Sequence, residues 1–349
     1  MRIALIAPPF IAVPPKKYGG TELFIAELAE GLQRRGHQVV VYANGESTVR
    51  VPTRWMYEKE QWPITGEVEG SLKGLSHASW AIKEASRDAD VIHINNAPGL
   101  SFTRFVKGPF VYTIHHTFDK NLADYYSRLR DVHYVTISDF QRTKLTMPKM
   151  RTIRHGLNLN QYSFRARKQP YLCFLGRIAP PKGTHLAIQI AKESGIPLRI
   201  AGEVQPMYKD YWESMIKPQV DGNFVQYLGE MGMEEKTELL ANSFAMLFPI
   251  QWDEPFGLVM IEAMACGTPV LALPGGSVAE VVKEGVSGHV RRTASELAQC
   301  ARDLKLDSTQ VRKYAEHNFS VERMVDDYIA LYSEAAENER SAKVARIIA

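Results

Sequence analysis

The stretch AMLFPIQWDEPFGLVMIEAMACGTPVLAL, residues 245–273, reads as strand Ala245–Pro249, a loop, helix Phe256–Ala265 and strand Pro269–Leu273. Two short apolar runs flank a helical segment that Pro255 opens and Gly267 closes. Strand, crossover helix and second strand together form the repeating unit of a parallel sheet. Upstream the alternation runs through strand Tyr171–Leu175, helix Thr184–Ser194, strand Leu198–Ala201, strand Phe224–Leu228 and helix Glu234–Asn242. Downstream come helix Val278–Glu284 and, after Thr293 and Glu296 at capping-box spacing, helix Leu297–Leu304.

The first part of the chain repeats the pattern. Arg2–Ala7, the amphipathic segment Thr21–Arg35 closed by Gly36, and valine-rich Gln38–Ala43 make a βαβ unit. Val91–Ile94, Pro109–Ile114 and Tyr134–Ile137 follow as buried parallel strands, the last ahead of Ser138 as an N-cap. The expectation is α/β: two Rossmann-like, doubly wound domains facing a central cleft, at residues 1–165 and 166–320, with polar Gln161–Pro170 as the linker. Residues 321–349 belong to one long polar helix, starting at Ser320, that packs back on the first domain or frays. The weakly patterned segment Val51–Leu75 reads as a loop suited to acceptor specificity. Ligands of open parallel sheets bind outside the carboxyl ends of the strands, so the loops there are the places to look for chemistry.

Composition agrees with two ordinary domains. The 349 residues are 45% hydrophobic and 23% charged, which excludes disordered and collagen-like classes. No run approaches the ~18 apolar residues of a membrane span, and the Ile3–Ala7 run is too short for a signal-peptide core. Cys173, Cys266 and Cys300 have no zinc or redox spacing, which fits a reducing, cytoplasmic setting. The net charge of +3 is unevenly spread: residues 1–165 hold 22 Lys and Arg against 15 acids, and residues 166–349 hold 20 against 24. The basic stretch 128–154 reads either as a face for an anionic lipid or acceptor, leaving peripheral membrane contact open, or as an ordinary solvated surface. No nucleic-acid motif accompanies it.

Three loops carry candidate chemistry. At the helix start after Pro255, the amides of Phe256, Gly257 and Leu258 would bind phosphate or hydroxyl groups. Glu254 and Glu262 bracket that start at a separation of roughly 10 Å, the scale of a sugar nucleotide rather than of two carboxylates flanking one bond. The alternatives are a helix-start acid for Glu254 and a structural partner for Glu262. Second, Gly176–Gly183 places Arg177 and Lys182 at a strand's carboxyl end, where two cations suit a diphosphate; a surface turn with incidental basic residues reads equally well. Third, Gly19 and Gly20 precede a helix and would let backbone approach a ligand, with Thr21 and Glu22 in the first turn. Neither a dinucleotide fingerprint nor a P-loop is present. His115 and His116 end one strand, and alternation lets only one face inward. His93, Asn95 and Asn96 end the preceding one and could line an acceptor pocket, or serve the core.

Taken together these motifs resemble the retaining glycosyltransferases of family 4, which have the GT-B fold. The Glu254 to Glu262 segment is the most specific part, and Gly176–Gly183 is similar to the family's phosphate loop. The resemblance implies transfer of a sugar from a UDP- or GDP-sugar to a small-molecule, glycan or lipid acceptor with retention, without cofactor or metal. It implies that Arg177 and Lys182 hold the diphosphate, that Glu254 and the Phe256–Leu258 amides bind the sugar, and that Glu262 binds the ribose. His115 would contact the sugar, Gly20 the phosphates, Tyr227-Leu228-Gly229 the base, and Glu203 the donor. Where the family has an Asn-Gly-Val-Asp turn, this chain has His155-Gly156-Leu157-Asn158. The implied reaction is front-face substitution, in which the leaving phosphate takes the acceptor's proton. Rival readings are a nucleotide-sugar epimerase, a phosphorylase of the same fold, or a non-catalytic sugar-nucleotide binder.

Overall fold

The computed structural model describes residues 1–17, 19–64 and 66–348, of which 342–348 are described by backbone alone. Strand β1 (Arg2–Ile6) is buried on both faces: Ile3 and Leu5 enter one apolar cluster, Ala4 and Ile6 another. Such a strand belongs inside a parallel sheet. It is joined by β2 (Gln38–Ala43), β3 (Thr53–Trp55), β4 (Val91–Ile94), β5 (Phe110–Ile114), β6 (His133–Thr136) and β7 (Met150–Thr152). All pair in parallel, in the order β3-β2-β1-β4-β5-β6-β7. Helix Gly20–Arg34 covers one face through Phe24, Ile25, Leu28 and Leu32, and helix Glu67–Ala85 covers the other through Ala81, Ile82 and Ala85. The latter helix and β3 occupy nearly half of the segment expected to be a loop at Val51–Leu75; of that segment Thr65 lies outside the described residues.

The final helix, Val321–Ile348, is not the polar element expected. Val321, Met324, Val325, Tyr328, Leu331, Tyr332 and Ala336 recur at three- and four-residue intervals and are buried with the helix Gly20–Arg34 face. Their hydroxyls are used as well: Tyr328 pairs with Thr113 Oγ1 at 2.8 Å and Tyr332 with His93 Nδ1 at 2.7 Å. Residues 1–15, 19–156 and this helix form one compact unit; residues 157–320 form the other, with which Lys16 and Lys17 group.

The second unit holds β8 (Leu172–Leu175), β9 (Leu198–Ala201), β10 (Val225–Tyr227), β11 (Ala245–Phe248), β12 (Val270–Ala272) and β13 (Gly288–Val290), parallel and ordered β10-β9-β8-β11-β12-β13. The capping box at Thr293 and Glu296 is formed, with Thr293 Oγ1 accepting from Glu296 N at 3.2 Å, and the helix it starts spans Ala294–Arg302. Helix Val278–Val281 stops short of Glu284, and helix Ser308–Asn318, capped by Asp307, was not foreseen.

The chain changes units at Gly156, not within Gln161–Pro170. The polar side chains of 157–170 suggested a solvated linker, but Lys168 and the carbonyls of Leu159 and Tyr162 are tied to the second unit. Lys168 Nζ donates to Ala241 O and Cys266 O, both at 2.9 Å, and to Thr268 Oγ1 at 2.8 Å, serving two helix C-termini. Burial lowers its pKa to about 8. Arg312 donates to Leu159 O at 2.9 Å, Tyr162 O at 3.1 Å and Ala265 O. Arg312→Ala leaves these carbonyls without their charged donor and should lower the unfolding free energy by about 2 kcal/mol, measured by urea denaturation; an unchanged transition would show that the guanidinium does not hold this segment.

Candidate active site

Strands β8 and β11 are neighbours, so the loops that leave their carboxyl ends lie side by side. Gln251 N donates to Pro181 O at 2.8 Å across them. Pro180–Lys182 form a single 3-10 turn that ends at Gly183, whose φ is +74°. A β-carbon at Gly183 would lie 1.9 Å from Pro249 O, so glycine permits the approach that delivers Lys182. Its Nζ donates to Glu254 Oε2 at 2.6 Å, and these side chains are only 12% and 9% exposed. Trp252 Nε1 donates to the same oxygen at 2.9 Å, and its ring centre lies 4.5 Å from the ammonium. From the loop after β12, Ser277 N donates to Glu254 O at 2.9 Å, while Gly276 leaves room for that carbonyl, 2.1 Å from where a β-carbon would stand.

Helix Leu258–Ala265 begins two residues later than expected. Gly257 adopts the left-handed conformation as its N-cap, so the first-turn donors start at Leu258. Phe256 lies outside the helix with its ring buried, edge-on to Phe319 at 6.0 Å. Glu262, 5% exposed, is held on one oxygen by the protein: Lys236 Nζ and Tyr162 OH both donate to Oε1, the second at 3.0 Å.

The other donor-side candidates sit along the same edge. Ile178 N donates to Glu203 O at 2.9 Å, joining the Arg177 loop to the end of β9, and Glu203 Oε2 accepts from Gln205 Nε2 at 3.1 Å. Tyr227 commits its hydroxyl to Gly202 O at 2.8 Å and packs on Trp212, so it fastens the loop after β9. Leu228 next to it is 41% exposed.

In the first unit, His93 takes the core alternative and not the acceptor pocket: Nε2 meets Thr113 Oγ1 at 2.8 Å and Nδ1 meets Tyr332, leaving no nitrogen for a ligand. Its position inside β4, one residue before the strand end, explains this. Asn96 caps the following turn, accepting from Gly99 N at 2.9 Å. Asn95 Nδ2 donates to Ile6 O at 3.2 Å, which aims Oδ1 at His115 Nε2, 2.9 Å away. His115 therefore carries its proton on Nε2. Burial and the neighbouring histidines hold its pKa well below the ordinary value, so the ring is neutral and Nδ1 is an acceptor. His115 and His116 diverge as strand alternation requires: His115 stacks on His155 and touches Phe24, while His116 bonds Tyr126 OH at 2.7 Å in the opposite cluster. Gly19 and Gly20 do open helix Gly20–Arg34, Gly19 as N-cap.

Trp252, Lys236 and Tyr162 escaped sequence reasoning, and Glu22 was noted there only as a first-turn acid. Only the adjacency of Trp252 to Glu254, and of Glu22 to the glycine pair, offered a signal.

Comparison with known proteins gives a consistent result. Residues 18–160 match the model for Glycosyltransferase Family 4, and residues 159–318 match that for glycosyl transferases group 1. The chain is 27% identical over 319 residues to the phosphatidyl-myo-inositol mannosyltransferase of Mycobacterium leprae, covering 83% of each chain. In fold it is similar to sucrose-phosphate synthase from Thermosynechococcus elongatus, with a TM-score of 0.80 and 19% identity over 95% of this chain and 98% of that one. It is also similar to Anabaena HepE solved with UDP and glucose, at TM-score 0.76 and 20% identity over 96% and 100%. With two parallel α/β sheets of the GT-B kind and consecutive family matches from residue 18 to residue 318, the chain belongs to the family 4 glycosyltransferases.

Proposed function

We propose that this glycosyltransferase takes a UDP- or GDP-sugar and transfers the sugar with retention to a hydroxyl of a lipid or glycan acceptor. The observation that carries the reading is the buried Lys182–Glu254 pair, assembled from loops 72 residues apart at the carboxyl edge of the second sheet. Isolating two charges from water is expensive, and a buried pair contributes little net stability. At this edge, however, a desolvated ammonium is well placed to meet a diphosphate.

In the proposed step the acceptor oxygen forms a bond to the anomeric carbon on the face from which the diphosphate leaves. The electron pair of the breaking carbon–oxygen bond goes to the diphosphate, and a phosphate oxygen takes the acceptor's proton. Lys182 and Arg177 stabilise the charge that develops on the leaving group. Glu254 and the amides from Leu258 onward take sugar hydroxyls, and Glu262, held by Lys236 and Tyr162, takes the ribose. Glu203 and the Tyr227–Leu228 segment would complete the donor side. In the first unit, His115 Nδ1 is set to accept a carbohydrate hydroxyl, with Asn95 fixing the ring. The reaction as proposed needs no metal or cofactor.

The relative's name supports an acceptor that contains a lipid-linked polyol, and the HepE complex supports a uridine nucleotide donor. No helix of the described residues is long and apolar enough to cross a membrane, so a lipid acceptor would be met from the bilayer surface.

Lys182→Ala should lower turnover by about 10²- to 10³-fold. Because it strands a buried carboxylate, it should also destabilise the fold. The double variant Lys182→Met with Glu254→Gln removes both charges and should regain stability without regaining turnover. Wild-type release of nucleoside diphosphate by Lys182→Ala would refute the phosphate assignment. For the donor, UDP or GDP at 100 times its Kd should stabilise the protein by about 2.7 kcal/mol, and ADP-sugars should not. Proton NMR of early product should show the donor's anomeric configuration; an inverted product, or an epimerised donor formed without acceptor, would overturn the reaction as written.

A further inference from the structure

Among the described residues two side chains donate to Glu254, and both bonds end on the same oxygen. Lys182 Nζ lies 2.6 Å and Trp252 Nε1 2.9 Å from Oε2, while none of these residues donates to Oε1. The carboxylate is thus divided: one oxygen is doubly held, and the other is an open acceptor in a place nearly closed to water. The two donors differ in kind. The ammonium of Lys182 is a point charge on a flexible stem, and a diphosphate competes for it. The indole N–H of Trp252 is a single neutral donor without such a rival. The loop after β12 backs it closely. A β-carbon on Gly275 would stand 2.5 Å from Trp252 O, and Ser277 N donates to Glu254 O at 2.9 Å, so this donor and its acceptor share one support.

When Lys182 moves to a diphosphate, Oε2 loses its charged donor at the moment the sugar shuts out water. A buried carboxylate left without a donor is strongly unfavourable. We propose that Trp252 is a positioning residue: its N–H keeps hold of Glu254 Oε2 while Lys182 passes from carboxylate to phosphate, so that Oε1 stays aimed at a hydroxyl of the donor sugar. The proposal rests on the functional reading above and deepens it, giving one oxygen of Glu254 to the protein and the other to the sugar. The carboxylate pivots on the bond from the indole as the ammonium leaves. The ring itself registers that departure, because its centre lies 4.5 Å from Nζ before the exchange.

The first test is calorimetry of the whole protein without acceptor, comparing UDP with UDP-glucose and GDP with GDP-mannose. With nucleotide alone, water occupies the place of the sugar and reaches the carboxylate; with the nucleotide-sugar it is excluded. Trp252→Phe keeps a ring over the ammonium and loses the N–H. It should weaken binding of the nucleotide-sugar about tenfold more than binding of the nucleotide. Trp252→His sets a ring N–H at the corresponding position and should recover most of that difference at pH 8, where a free imidazole is neutral. A general loss of packing lowers both affinities together. A ratio unchanged in Trp252→Phe, or lowered equally in both variants, overturns the proposal.

The second test reads the bond in the wild-type protein. Its five tryptophans give five indole N–H signals in a nitrogen-15 spectrum, and the signal missing from both variants belongs to Trp252. That signal should shift when UDP or GDP draws the ammonium off the ring, and it should stay protected from exchange with water in the nucleotide-sugar complex. Rapid exchange in that complex would show that the N–H has left the carboxylate, and the proposal would fall. If it falls while Lys182→Ala still loses nucleotide affinity, the functional reading stands without Trp252; if neither UDP nor GDP binds the wild type, the functional reading fails with it.

Discussion

The second unit is organised around a single demand, that an ammonium and a carboxylate be held together out of water. Lys182 and Glu254 come from loops of adjacent parallel strands, and each backbone is pinned where the loops touch, at Gly183 against Pro249 and at Gly276 against Glu254. Trp252 completes the arrangement by donating to the shared oxygen and covering the ammonium. An isolated buried charge is costly and a paired one roughly neutral, so these supports do not exist to stabilise the fold. They place a positive group with a defined partner at the edge where parallel sheets bind ligands, and on the proposed reading that partner is exchanged for a phosphate.

The first unit solves a different problem, burial of polar groups in a core without loss of hydrogen bonds. His93, Thr113, Tyr328 and Tyr332 form a closed network that fastens the final helix to β4 and β5. The strand ends next to it are thereby rigid, and Asn95 passes that rigidity to His115. A neutral imidazole with one fixed proton and one lone pair discriminates hydroxyl orientation better than a rotating side chain would.

Most strands were legible because strands buried on both faces must be apolar runs, as β1 and β11 are. Helix ends were less so: left-handed Gly257 moved one start by two residues, a choice made by the loop rather than by any propensity of Phe256. The apolar stripe of the last helix was present in the sequence but diluted among charged residues, and Lys168 read as solvent-facing because its carbonyl partners lie up to 98 residues away. At the site, the sequence marked Arg177, Lys182 and Glu254 in loops at strand ends and Glu262 in the helix that follows. It carried no sign that Lys182 would meet Glu254 or that Lys236 and Tyr162 would be the partners of Glu262, since these are contacts across long separations.

The most direct measurement of the central claim is a crystal structure with an intact, unreactive analogue of a nucleotide-sugar donor. The account predicts the diphosphate within hydrogen-bonding distance of Lys182 Nζ and the Arg177 guanidinium, with Glu254 turned from the ammonium toward the sugar. A diphosphate bound elsewhere, with the Lys182–Glu254 pair intact, would contradict it.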